Sequence, residues 1–371
     1  MIKLGSNLLF MKTNSKKGKL KRISRNPDLF EHQDRIEKLK NQNNSLVKLN
    51  RYIDWSFFGK EIDNQLPTVD YSKGGRPPIS RELMFKVLVL QHMFNLSDDG
   101  IEYQILDRNS FMEFLGLKTY KDIPDAKTIW LVRDQLNKLG ILDDLFVKFV
   151  DQLVAKGIVL NKGTITDATI IETPKQRNTK DENAKIKEDK GDTLWADDEH
   201  KKSQKDIDAR WLQKDGQNYF GYKDHVVVDA KSKLIVDFEV TPANEHDSQL
   251  MTEFIDRNPD VDVMYADSTY ISPIISEKLA QHGIKNNIHI KGKRNTPLTK
   301  SQFNSNKMKS KIRARVEHVF GMITKGMGGL MFQVRSLVRV TAKITLMNLT
   351  YNIKRIVHLI EANGGAMPSF K

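Results

Sequence analysis

Cysteine is absent from all 371 residues, which excludes a disulfide scaffold, a thiolate-bound zinc or iron–sulfur centre and a thiol nucleophile. No apolar run approaches the ~18 residues that a membrane-spanning helix needs. Leu8-Leu9-Phe10-Met11 is too short for a signal-peptide core and runs into a basic tract, so the expectation is a soluble cytoplasmic chain with no membrane partner. A Walker-type phosphate loop, a Gly-rich dinucleotide turn, an HExxH helix and a Gly-x-Ser-x-Gly elbow are missing too. The most informative shortage is local. The 83 residues between Glu277 and Glu361 hold seventeen Lys/Arg and a single acid, Glu317. At the chain-wide acid frequency about ten would be expected. A surface that has shed its carboxylates is suited to lie against phosphates.

What is present agrees with that. Sixty Lys+Arg against forty-seven Asp+Glu leave a net charge of +13, and a polyanion such as nucleic acid is the natural partner. The length allows two or three domains of ~150 residues, and 39% hydrophobic residues supply a core. Residues 1–27 carry eight Lys/Arg and no acid, which reads as a flexible basic arm extending to about residue 44.

From 45 to 157 the pattern is helical. Ser80 is placed to cap a helix over Arg81–Asn95 and Asp125 one that ends before Gly140, and a third runs from Leu142 to Lys156. Gly74-Gly75-Arg76-Pro77-Pro78 breaks the chain ahead of them, and Trp55 and Trp130 read as core aromatics. From 158 the period changes. Residues 163–171, 222–229 and 234–240 read as strands, the last two joined by a hairpin turn. Strands over 261–267 and 286–290, and helices near 272–282, 311–323 and 341–361, complete an α/β order around a mixed sheet. Between the first two strands lies 175–215, where 22 of 41 residues are charged, the composition of an inserted excursion rather than core.

With the other chemistries gone, carboxylates remain. Asp167 lies inside the first strand among β-branched residues, and Asp267 ends an apolar strand just before a helix. An acid in a sheet core is costly unless a cation or metal offsets its desolvation, and α/β sites gather at strand C-termini. Each, taken singly, is equally readable as an edge residue or a helix cap. Glu317 is readable as a ligand for a DNA-contacting cation or as the i,i+4 partner of Arg313. Asp247, at the exit of a strand, is placed to cap the next helix, with Asn244 and His246 beside it. Two Asp on strand ends and a Glu on a later helix are the donor set that holds two Mg²⁺ (or Mn²⁺) ions for in-line phosphoryl transfer.

The segments Gly75-Arg76-Pro77-Pro78, Thr166-Asp167-Ala168-Thr169, Tyr265-Ala266-Asp267-Ser268-Thr269-Tyr270, Thr241-Pro242-Ala243-Asn244-Glu245-His246-Asp247 and Arg313-Ala314-Arg315-Val316-Glu317-His318 together resemble the DDE transposases of bacterial insertion sequences, in the four/five superfamily marked by a Tyr-Arg-Glu-Lys signature. The resemblance runs from about Tyr52 to Glu361. It implies a ribonuclease H-like catalytic domain with a mixed sheet over 158–371, interrupted at 175–215, behind a helical DNA-binding domain over 45–157. It implies Asp167, Asp267 and Glu317 as catalytic and metal-binding acids, with Arg76, Arg313, Arg315 and Lys325 toward DNA. The signature Tyr position holds Ser310, and its Lys position holds Thr324 with Lys325 one place later. The implied activity is cleavage at terminal inverted repeats and joining of 3′-hydroxyl ends to target DNA. The implied enzyme works as a homodimer on double-stranded DNA, associated with the nucleoid. A non-catalytic DNA-binding descendant and a ribonuclease H-like nuclease are the alternatives.

Overall fold

Residues 30–42, 44–67, 79–292, 294, 296–368 and 370 are described by the computed structural model. The basic arm over 1–27 and the break containing Arg76 lie outside the described residues. Helix α1 (Glu31–Asn41) belongs to a separate N-terminal unit ending at Gln42. Its first turn holds Glu31 and Asp34 and its last Lys38 and Lys40, charges that complement the helix dipole.

The second unit, from residue 43 onward, opens with α2 (Ser45–Tyr52), α3 (Trp55–Gln65), α4 (Arg81–Met93), α5 (Asp98–Asp107), α6 (Asn109–Leu115), α7 (Ala126–Lys138) and α8 (Ile141–Ala155). The caps explain the boundaries. Ser80 Oγ accepts from the Leu83 amide, and Asp125 Oδ1 accepts from Thr128 N at 2.6 Å. Gly140 and Gly157 take the left-handed conformation (φ 69° and 68°) after α7 and α8, where a side chain would be strained. Trp55 is buried beside Phe85 and Phe114, as expected. Trp130 is not a core residue. It is 42% exposed, because Ile129 takes the inward position on α7 and the next residue is turned ~100° away.

The sheet comprises β1 (Thr164–Glu172), then, after α9 (Lys180–Lys187) and α10 (Glu199–Gln204), β2 (Arg210–Lys214), β3 (Gln217–Asp229) and β4 (Ile235–Pro242). After α11 (Met251–Arg257) come β5 (Val263–Tyr265), α12 (Pro273–Gln281), β6 (Lys285–Asn286), α13 (Lys300–Gly326) and α14 (Leu337–Ala362). The order is β2-β3-β1-β5-β6, with β4 also on β3. β1, β3 and β4 are antiparallel neighbours, while β5 is parallel to β1 and β6 to β5. The sheet is mixed, as the sequence predicts.

Three elements differ from expectation. The charged excursion contributes α9, α10 and β2, and β2 extends the sheet by pairing Trp211 with Phe220 and Lys214 with Gln217. β3 is consequently longer than the 222–229 run that composition marks. α13 begins at Lys300 rather than near 311, because Thr299 and Gln302 form a reciprocal capping box that starts it eleven residues earlier. β6 stops at Asn286, after which Asn286 Oδ1 turns back to accept from Ile288 N.

α14 is buried along most of its length and lies between the helices and the sheet. Leu88 and Phe58 of the helical part, Ile165, Val226 and Val228 of the sheet, and Leu346 and Ile353 of α14 belong to one continuous core. A second cluster built from α11, α12 and β5 includes Met251, Met264, Tyr270 and Leu279.

Candidate active site

The parallel register of β1 and β5 sets the geometry. Thr164 pairs with Met264 and Ile165 with Tyr265. Continued two places, the register sets Asp267, just past the end of β5, toward Asp167 inside β1, close enough for the two charges to repel. Asp267 leaves β5 into a 3₁₀ turn, Ser268–Tyr270, and its Oδ1 accepts from the Thr269 amide at 2.8 Å and from the Thr269 hydroxyl. Asp267 is therefore both a cap and a neighbour of Asp167, so the two readings of this residue coexist.

Asp167 Oδ1 accepts from the Ala168 amide at 2.9 Å, and Oδ2 accepts from Arg313 Nη1 of α13 at 3.0 Å. Burial raises its pKa; the Ala168 amide and Arg313 pull it down, and the charges of Asp267 and Asp247 push it up again. The alternative ion pair between Arg313 and Glu317 does not form, since Arg313 reaches Asp167 instead. Glu317, one turn further along α13, is exposed and has no hydrogen-bond or ion-pair partner among the described residues. The structure brings Asp167, Asp267 and Arg313 together and leaves Glu317 apart. Among the described residues no three His, Asp or Glu side chains are gathered closely enough to hold a metal ion. The chemistry of the donors nonetheless fits Mg²⁺ or Mn²⁺: two hard carboxylates stand abreast, one destabilised in its charged form by burial.

Of the other predicted contacts, Arg315 Nη1 donates to the Ala230 carbonyl, tying α13 to the β3–β4 turn, and Lys325 is exposed on the last turn of α13. Ser310, at the signature Tyr position, lies 3.3 Å from His289 Nε2. Burial lowers the His289 pKa, the charges of Arg313 and Lys309 lower it further, and that of Asp267 raises it.

Asp247 does not cap a helix. A 3₁₀ turn, Asp247–Gln249, follows β4, and the His246 side chain accepts from the Ser248 amide there. The Asp247 carboxylate instead accepts from Lys223 Nζ at 2.7 Å, and Lys223 also donates to the Glu245 carbonyl at 2.6 Å. Lys223 lies within β3, where desolvating an ammonium requires such a partner. Sequence reasoning missed this pair and it missed Tyr270. The 3₁₀ turn carries Tyr270 into the core, where its hydroxyl is buried without a hydrogen-bond partner among the described residues. Burial and the charges of Asp247, Asp167 and Asp267 hold its pKa well above the ordinary value. A charged residue in a β-branched strand and a Tyr three places beyond a strand-end Asp were the available signals. His225 is buried in β3, with Nε2 2.9 Å from the Thr241 hydroxyl.

Comparison with known proteins places these residues in context. The family described as "Transposase DDE domain" matches residues 160–353, and "Transposase domain (DUF772)" matches residues 34–135. Among solved structures, the chain is similar to a piggyBac transposase in a synaptic complex with hairpin DNA, at a TM-score of 0.43 and 12% identity. That likeness covers 90% of this chain and 78% of the other.

Proposed function

Because the chain belongs to the transposase DDE-domain family, of the type found in bacterial insertion sequences, we propose that it cuts DNA at the terminal inverted repeats of its own element and joins the freed 3′-hydroxyls to target DNA. The observation that carries this reading is the Asp167–Asp267 pair, one inside β1 and the other just past the end of the adjacent parallel β5, faced by a basic helix bearing one acid. The strand order β4-β3-β1-β5-β6, antiparallel then parallel, supports a ribonuclease H-like catalytic half, and the helices from 45 to 157 are its DNA-end-binding half.

Asp167, Asp267 and Glu317 are the residues that would hold divalent cations, Mg²⁺ or Mn²⁺. When bound, such ions supply charge neutralisation for an attacking oxygen and for the leaving 3′-oxygen. The chain's own residues do the rest. Arg313, Arg315 and Lys325 on α13, with Arg76, offer cations to the phosphates that flank the scissile bond. In the first reaction a water oxygen bonds to phosphorus and the P–O3′ bond breaks, leaving a 5′-phosphate and a 3′-hydroxyl. In the second, that 3′-oxygen bonds to a target phosphorus, and a target 3′-oxygen leaves with a proton. Joining two ends fits a homodimer on DNA, and a DNA-acting enzyme of this kind works in the cytoplasm on the nucleoid.

Glu317→Gln tests this reading through two measurements. Metal-supported cleavage of a fragment carrying the element ends should fall by orders of magnitude, since charge stabilisation of this kind is worth several kcal/mol. DNA binding in EDTA should hold or tighten, since a carboxylate in a cationic field is gone. Near-normal cleavage by this variant would reject Glu317 and direct attention to Glu245 or Asp247 as the third acid. Full wild-type cleavage in excess EDTA would reject the divalent-cation reading altogether.

A further inference from the structure

Two arginine–aspartate pairs in this protein are built differently. Arg133 clasps Asp98 with both terminal nitrogens, at 2.6 and 2.8 Å, and Gln91 adds a hydrogen bond to each partner. That is a bidentate strut braced by a shared amide. Arg313 touches Asp167 through Nη1 alone, at 3.0 Å, and its Nε is buried with no hydrogen-bond partner among the described residues. A guanidinium fork matches a carboxylate or a phosphate with two parallel bonds when the geometry lets it. Arg313 holds Asp167 with half its capacity and keeps a donor unused.

The charges around it are also half-balanced. Asp247 has Lys223 as its own partner, which leaves Arg313 as the cation paired with Asp167, while Asp267 is satisfied by Thr269 rather than by a positive charge. A divalent cation approaching Asp167 meets a guanidinium already seated on Oδ2, and two positive centres on one carboxylate repel strongly in a half-buried site.

We propose that Arg313 is a reversible guard on Asp167: without DNA it occupies the carboxylate and opposes divalent-cation binding, and a DNA phosphate draws the guanidinium away, so that DNA and cation bind cooperatively. This rests on the reading of Asp167 as a cation ligand. A phosphate gives the fork the paired acceptors that Asp167 does not, including one for the unused Nε. The coupling is reciprocal by linkage, so a cation that displaces Arg313 also strengthens the hold on DNA. Its consequence is restraint: the nucleolytic centre assembles on DNA rather than in free protein.

The test is Mn²⁺ binding to the full chain, followed by calorimetry and by electron paramagnetic resonance, with and without a duplex of arbitrary sequence. Arg313→Gln should bind Mn²⁺ about tenfold more tightly than wild type in the absence of DNA, and the extra tightening that DNA gives wild type should shrink by a similar factor. Arg313→Lys, which keeps the charge but loses the fork, serves as the second variant and should retain most of the DNA-free opposition. Asp167→Asn should remove the affected Mn²⁺ site in every background. If Arg313→Gln binds Mn²⁺ no more tightly than wild type while Asp167→Asn abolishes binding, the guard is overturned and the ligand reading survives. If Asp167→Asn binds Mn²⁺ as wild type does, the ligand reading itself fails.

Discussion

Replacing Asp224 with asparagine should stabilise this protein at pH 8 and change it little near pH 4. Asp224 lies in β3, fully buried, and neither of its oxygens has a hydrogen-bond partner among the described residues. Asn348 of α14 lies close enough to draw its pKa down slightly, yet makes no bond of ordinary geometry with it. Burial therefore dominates and pushes the carboxyl from 3.8 up to about 7. The sign follows from proton counting. Between those two values the folded chain binds more protons than the unfolded one, so stability falls as pH rises and levels off above pH 7. At ~1.4 kcal/mol per pH unit the whole gap is worth roughly 4 kcal/mol, and the portion between pH 5 and pH 8 roughly 2–3 kcal/mol. Asp143, Asp167 and Asp237 also have raised pKa values, but both proteins share them, so the difference between the two stability curves isolates Asp224. Urea denaturation of wild type and Asp224→Asn from pH 5 to pH 8 reads this directly. Parallel curves, with no growing advantage for the variant, would refute the assignment of an uncompensated buried carboxyl.

Two further substitutions probe a buried hydroxyl near the carboxylate pair and a tight backbone approach at the far end of β1. Tyr270→Phe removes a buried hydroxyl that has no partner, so the DNA-free, metal-free protein should gain about 1 kcal/mol in denaturant unfolding; a loss of that size would mean that the hydroxyl is bonded after all. Gly221→Ala should cost more than ~3 kcal/mol or prevent folding, because φ there is +151° and a Cβ would sit 2.1 Å from the Ile171 carbonyl oxygen. A near-normal urea midpoint for that variant would show that the β1–β3 ladder can give way where it looks rigid.

The fold was legible wherever one short-range signal decided an element. Ser80, Asp125 and Gly140 mark helix ends by their own chemistry, and the structure uses them so. Asp167 and Asp267 stood out because a carboxylate among strand-forming residues is locally anomalous, and the register explains why they meet. What the sequence hid depends on partners far along the chain. Asp247 looks like a cap until Lys223, 24 residues earlier, claims it across the β3–β4 pair. Trp130 looks like core because period alone does not say which of Ile129 and its neighbour turns inward. The 175–215 excursion reads as an inserted loop or exposed helical excursion, and α9 and α10 fit the second; β2 is hidden because it is polar and enters the sheet only through its ladder with β3. The place of Glu317 relative to the pair depends on how α13 is rotated and how far it has slid, and neither is written in local composition.

α14 sets a limit on modular exchange. Its buried length faces α2, α4 and α8 on the helical side and β4 on the other, so the two halves of the molecule share one wall rather than meeting across a seam. A chimera cut near 157, with the helices of one relative joined to the sheet of another, would press foreign helices against a native α14 with mismatched side-chain volumes, at a cost of ~1–3 kcal/mol for each badly filled site. Recombination between such genes should therefore succeed when the helices and α14 travel together, as two separate sequence blocks with the strands left behind. The helical part and the sheet of this chain are thus inherited as interleaved pieces, and a working exchange between relatives has to cut twice.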